Sequence, residues 1–133
     1  MLFSDKELYF DIPKVMGIIN LTPDSFSDGG RFISKKSLKV DRSKVLKEIE
    51  AMEKSGASFI DIGAESTRPN SVRISVQEEM DRLMPILEEI KNIRAVVSID
   101  SSKGEVIFEA IKKGVNLIND INSLEDKNSL ELV

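Results

Sequence analysis

Asn20, Asp61, Asp100 and Asn119 each stand at the end of a short apolar run, and their types suit the binding of a polar ring or a hard cation. The runs are Val15–Ile19, Ser58–Ile62, Ala95–Ile99 and Val115–Ile118. A carboxylate such as Asp100 accepts two hydrogen bonds from a ring amide and a neighbouring amine, and the amide of Asn119 both donates and accepts. Asn20 offers a carbonyl oxygen to Mg²⁺, a site that is complete only when phosphate oxygens fill the remaining positions. Asp61 fits a supporting role close to the chemistry, accepting hydrogen bonds from nearby loops. Any one strand-end Asp or Asn can simply bond a loop amide. Four at equivalent places point instead to a shared ligand, because a buried polar group needs a partner.

Two polar loops follow the first two runs. The first carries Thr22, Pro23 and Asp24 and continues to Gly30, longer than the roughly 2–6 residues usual between a strand and a helix. The second, Gly63 to Asn70, carries Ser66, Thr67 and Arg68. The Arg68 guanidinium suits planar contact with phosphate or carboxylate oxygens, and the Thr67 hydroxyl can serve the same anion.

The composition narrows the chemistry. The 133 residues contain no Cys and no His, which removes disulfides, thiolate zinc sites, cysteine nucleophiles and imidazole bases. Any metal must be held by oxygen, and Mg²⁺ is the natural choice. A net charge of -4 with basic residues scattered among acidic ones gives no nucleic-acid footprint. No apolar run approaches the roughly 20 residues of a bilayer span, so no membrane role and a cytoplasmic location are expected.

The elements that must position these residues follow from periodicity. The four runs are apolar on both faces, as in parallel strands covered on both sides. A further leading strand is expected around Glu7–Phe10. Between the runs lie helical patterns. Val45, Ile49 and Met52 line the first, which Gly56 ends; Val76, Met80, Leu83, Leu87 and Ile90 line the second, which opens on a Ser75/Glu78 capping box and bends at Pro85. The third opens on a Ser102/Glu105 capping box, carries Val106, Ile107, Ala110 and Ile111, and stops at Gly114. Strand and helix alternate, which gives an α/β fold, either an open doubly wound sheet or a (β/α)8 barrel. Ser129 to Val133 reads as a helix that starts and does not finish.

The blocks Met16-Gly17-Ile18-Ile19-Asn20-Leu21-Thr22-Pro23-Asp24-Ser25-Phe26-Ser27-Asp28-Gly29-Gly30, Asp61-Ile62-Gly63-Ala64-Glu65-Ser66-Thr67-Arg68-Pro69, Ser98-Ile99-Asp100-Ser101-Ser102-Lys103 and Asn119-Asp120-Ile121 resemble, in order and spacing, the dihydropteroate synthase family. The resemblance implies a (β/α)8 TIM barrel, of which residues 1–133 supply the N-terminal four βα units of a single pterin-binding domain. It implies the folate-pathway transfer that joins 6-hydroxymethyl-7,8-dihydropterin diphosphate to 4-aminobenzoate, giving 7,8-dihydropteroate and diphosphate. Asn20 then matches the Mg²⁺ ligand, and Ser66, Thr67 and Arg68 the loop that meets the diphosphate. Asp100 and Asn119 match residues that grip the pterin ring, and Thr22, Pro23 and Asp24 a mobile loop that encloses aminobenzoate. Asp61 and Arg68 are the residues nearest to catalysis.

Ala64, Asn70, Ser101 and Gly104 depart from the family's usual glycine, glycine, threonine and proline, all tolerable changes. Length is the larger departure, since a later Asp, Lys, Arg and His of the family have no counterpart here. The 133 residues by themselves are therefore expected to be inactive, and the full-length form to be a homodimer. The alternatives are a non-catalytic or self-pairing half-barrel that binds a pterin, and a methyltetrahydrofolate-type methyltransferase, whose first loop would read differently.

Overall fold

A computed structural model describes residues 1–23, 32–33, 40–66 and 71–125. The expected positions of Asp24, Thr67, Arg68, Asn70 and the segment 129–133 lie outside the described residues. The chain begins with a small antiparallel pair, β1 (Leu2–Phe3) and β2 (Lys6–Glu7). The parallel sheet and its helices follow as β3 (Met16–Asn20), α1 (Arg42–Lys54), β4 (Phe59–Gly63), α2 (Val76–Ile90), β5 (Val96–Asp100), α3 (Gly104–Lys112) and β6 (Leu117–Asn119). The sheet order is β3-β4-β5-β6, all parallel. This is the expected α/β succession.

Alternation along each strand gives the sheet two different faces. Ile19, Ile60, Ile62, Val97 and Ile99 point toward the helices and are fully buried or nearly so, packed with Val45 and Ile49 of α1, Leu83, Ile86, Leu87 and Ile90 of α2 and Val106 and Ala110 of α3. The opposite face carries Met16, Ile18 and Asn20, then Phe59, Asp61 and Gly63, then Val96, Ser98 and Asp100, then Leu117 and Asn119, aligned across the strands by the register. The polar side chains of the parallel strands, Asn20, Asp61, Ser98, Asp100 and Asn119, all lie on that second face.

Helix ends follow the local sequence. Asp41 caps α1 by accepting from the Lys44 amide at 3.2 Å, and Ser75 caps α2 by accepting from the Glu78 amide at 3.1 Å. The expected reciprocal half of the second capping box is missing, because the Glu78 carboxylate accepts instead from Arg82. Gly56 and Gly114 end α1 and α3 at φ 95° and 89°, a left-handed geometry that costs glycine little.

Two expectations are corrected. The leading strand is the pair Leu2–Phe3 with Lys6–Glu7, in its own sheet, rather than Glu7–Phe10. The cap of α3 is Lys103 with no side-chain bond, and the Ser101 hydroxyl accepts from the Lys103 amide at 3.3 Å, so no Ser102/Glu105 box forms. Helix α2 is a single element from Val76 to Ile90 with Pro85 inside it.

The leading pair closes the N-terminal end of the sheet. Phe3 packs edge-on against Phe59 with ring centroids 5.4 Å apart, and Phe10 lies 6.3 Å from the same ring. The Lys6 ammonium donates to the Ala95 carbonyl at 2.6 Å, and the Met1 ammonium donates to the Leu8 carbonyl at 2.7 Å. Phe59, at the first rung of the open face, is buried as a result.

Candidate functional site

The strand register places Asn20, Gly63, Asp100 and Asn119 on one rung, at the C-terminal ends of four adjacent strands and on the same face. Strand C-termini are where parallel α/β folds collect ligands. Three of the four residues singled out in the sequence meet there. Asp61 does not end its strand: β4 continues to Gly63, and Asp61 lies two residues lower on the same face, in register with Ile18 and Ser98.

That lower position gives Asp61 its function in the geometry. It is 4% exposed, and one carboxylate oxygen, Oδ2, accepts from the Asn119 Nδ2 amide at 3.1 Å. The bond fixes the Asn119 side chain and leaves its carbonyl oxygen for other partners. The second Asp61 oxygen, Oδ1, and the neighbouring Ser98 hydroxyl are buried without a hydrogen-bond partner among the described residues. Buried polar atoms of this kind call for a water or a ligand group.

Asp100 stands beside this pair, half-buried. Burial, and then the negative charges of Asp61, Glu79 and Asp120, push its carboxyl up to about 6. A partner that offers two N–H groups would relieve that strain on the ionised form, so the rung favours a donor edge. Behind the rung the Lys103 ammonium donates to Glu65 at 2.6 Å and to Glu79. Burial is the largest single influence on both Lys103 and Glu65 and opposes their charge, but their mutual hydrogen bond, the Glu79 contact to Lys103, the Ile74 amide on Glu65 and the attraction between the charges together outweigh it, holding the ammonium above and the Glu65 carboxyl below their ordinary values. Sequence reasoning missed Glu65, Glu79, Arg82 and Lys103 as site-supporting residues. The available signal was a pair of charges, Glu79 and Arg82, on the same side of α2 as the apolar Leu83 and Leu87.

Thr22 is buried just past β3, and Pro23 and Ser66 are half-buried where the first two loops leave the sheet. The Leu21 amide donates to the Gly63 carbonyl at 2.7 Å, so the loops begin side by side. Asn20 is half-buried at the sheet edge. Among the described residues no group of three or more acidic side chains is arranged to hold a metal. The Asn20 side-chain oxygen is one neutral donor, and a cation held there would need its remaining oxygens from a ligand.

The sequence profile described as "Pterin binding enzyme" matches residues 16–133. The chain belongs to the pterin-binding enzyme family. The dihydropteroate synthase of Haemophilus influenzae is 46% identical over 129 residues, covering 96% of this chain and 44% of that protein. That of Escherichia coli K12 is 47% identical over 120 residues, covering 90% of this chain and 40% of that protein. Among solved structures, the Yersinia pestis dihydropteroate synthase with a sulfonamide drug complex superposes with a TM-score of 0.88 at 41% identity, covering 98% of this chain and 46% of that one. The Burkholderia cenocepacia dihydropteroate synthase complexed with 7,8-dihydropteroate gives a TM-score of 0.77 at 33% identity, covering 95% and 39%. This member of the family thus spans less than half the length of these relatives. Its parallel sheet and helices are a part of their (β/α)8 barrel.

Proposed function

We propose that the full-length gene product is a dihydropteroate synthase, and that this chain supplies its pterin-gripping wall. The observation that carries the reading is the shared rung of Asp100 and Asn119, with Asp61 holding the Asn119 amide from below. An ionised Asp100 and the freed Asn119 carbonyl oxygen present adjacent acceptors to the ring N–H and exocyclic amine of a 2-aminopyrimidinone, the recognition edge of a pterin.

In this reading the hydroxymethyl carbon of the pterin lies toward the loops, where Ser66, Thr67 and Arg68 receive the diphosphate and Thr22, Pro23 and Asp24 enclose 4-aminobenzoate. The aminobenzoate nitrogen forms a bond to the methylene carbon as the C–O bond to diphosphate breaks. The amine gives up its surplus proton, and diphosphate carries away the bonding electron pair. Mg²⁺, held at Asn20 together with substrate oxygens, supplies charge neutralisation for the departing diphosphate when bound. Arg68 adds cationic stabilisation at the same place, and no covalent intermediate on the protein is needed. Asp61 acts by orienting Asn119. A cytoplasmic location and a homodimer of the full-length form complete the proposal; in the described residues no helix is long and apolar enough to cross a membrane.

The deciding experiment supplies the full-length gene product with the dihydropterin diphosphate, 4-aminobenzoate and Mg²⁺ and follows dihydropteroate by chromatography. Product formation that needs both substrates, and its loss in Asp100→Ala, is the expected result. Absence of both product and pterin binding by calorimetry in the purified, folded protein overturns the reading.

A further inference from the structure

Two charged residues of α2 are buried where an ordinary helix-sheet interface would place apolar side chains. Glu79 is 1% exposed and Arg82 is 7% exposed. Burying an ion costs several kcal/mol before partners are counted, so a helix that buries two needs a return other than packing. The contacts show where these charges are spent. One guanidinium nitrogen of Arg82 donates to the Ala64 carbonyl at 3.0 Å and reaches the Leu21 carbonyl at 3.4 Å. Its other terminal nitrogen binds Glu78 at 2.5 Å. One turn earlier on the helix, Glu79 accepts from Lys103, which also binds Glu65 at 2.6 Å.

These contacts converge on the loops of the candidate site. Leu21 precedes Thr22 and Pro23, Ala64 precedes Glu65 and Ser66, and Lys103 follows Asp100 by three residues. The Glu65 carboxylate also accepts from the Ile74 amide at 2.9 Å, which fastens the second loop at its far end. We propose that Glu79 and Arg82 are positioning residues: a buried hub on α2 that ties together the loops leaving β3, β4 and β5, so that the groups these loops carry meet one bound substrate in a fixed geometry.

The hub touches no reacting atom in this arrangement. One terminal nitrogen of the guanidinium reaches both loop carbonyls while the other stays on Glu78, a division between two prongs that the single ammonium of a lysine lacks. The part of the proposal that concerns turnover rests on the synthase reading; the tying of the loops does not.

The test uses the full-length gene product with Arg82→Lys and Glu79→Gln, measuring site-resolved hydrogen exchange, pterin affinity and steady-state kinetics. In Arg82→Lys the amides of Leu21, Thr22, Glu65 and Ser66 are expected to exchange at least tenfold faster, with those of Ile60, Val97 and Ile99 unchanged. In Glu79→Gln the faster amides are those of Ser102 and Lys103. The kcat for dihydropteroate formation falls about 10- to 100-fold in both, the scale of a small misplacement of reacting groups, while the Kd for the pterin alone stays within about threefold. Exchange that is unchanged, or that accelerates evenly through the core strands, overturns the hub, as does an unaltered kcat in a protein with wild-type synthase activity. If the wild-type protein makes no dihydropteroate, the synthase reading falls and the exchange pattern alone decides the hub. Should Arg82→Lys fail to fold, Glu79→Gln carries the same comparison.

Discussion

The Asp100 carboxylate leans over Gly63 on the neighbouring strand so closely that a methyl group built on Gly63 would lie 3.1 Å from Asp100 Oδ2 and 3.2 Å from Asp100 Cβ. The absent side chain at Gly63 makes room for the functional one at Asp100. In Gly63→Ala the Asp100 side chain must give way by a few tenths of an ångström. Pterin affinity is expected to fall by about tenfold or more, while stability falls by about 1–3 kcal/mol through overpacking. Calorimetric titration and denaturant unfolding of the full-length gene product separate the two effects. Affinity equal to the wild type would show that the carboxylate acts from another position.

Asp100 also makes stability depend on pH in a defined direction. Its folded carboxyl titrates at about 6 against an ordinary value of 3.8, so the folded chain holds this proton more tightly than the unfolded one. The contribution is complete below the unfolded value and is lost as pH rises toward 6. Above that pH the group is ionised in both states, and only its burial cost remains. Asp100→Asn is therefore expected to raise the thermal midpoint at pH 7.5 and to leave it unchanged near pH 3.5, as melting curves at several pH values will show.

Binding should follow the opposite course. In the proposed site the ionised carboxylate is the acceptor for a pterin edge, so affinity in the full-length gene product is expected to rise with pH through about 6 and then level off. Asp100→Asn removes that rise. A titration series from pH 5 to 8 checks it, and a pH profile unchanged by the substitution would rule out Asp100 as the titrating group.

Asp61 holds the Asn119 amide, so its removal frees that amide to rotate. Asp61→Ala is expected to weaken pterin binding by about tenfold, on the scale of one hydrogen bond to a charged group, and less than Asp100→Ala does. Comparison of the two variants by titration provides the ranking. The reverse order would make Asp61 a direct contact.

The aromatic cluster at the other end of the sheet should matter for stability alone. Phe59→Ala deletes the ring that Phe3 and Phe10 cover, at a cost of about 3–5 kcal/mol. Urea unfolding measures the loss. Pterin affinity of the fraction still folded should match the wild type, since Phe59 lies four residues below the binding rung on β4.

Periodicity made the parallel strands legible because their residues are apolar on both faces: β4 and β5 are buried along nearly their whole length, whereas on β3 the apolar Met16 and Ile18 are exposed on the face opposite the helices. Each strand nevertheless begins and ends slightly later than its apolar run, because hydrogen bonding continues through Asn20, Gly63, Asp100 and Asn119, polar or small residues that hydropathy discounts. That shift is why Asp61 read as a strand end and is a strand interior. Asp100 and Asn119 were legible as ring-binding candidates because their types and places suffice. Glu79 and Arg82 were not, since charges on a helix normally face water and only tertiary contacts show that these two face loops. The α3 cap was misread for a similar reason: Ser102 and Glu105 have the spacing of a capping box, but the helix begins only at Gly104 and Ser101 takes the Lys103 amide instead.

The strand order β3-β4-β5-β6 repeats the order of the chain. From β4 onward each strand of this sheet therefore pairs with the one just before it in the chain, and no later strand is inserted between two earlier ones. The ties between the loops run the same way: Arg82 reaches back to the carbonyls of Leu21 and Ala64, and Lys103 reaches back to Glu65 and Glu79. Each fastening thus joins a residue to partners that precede it in the sequence, so the contact order of the wall stays low for a parallel sheet.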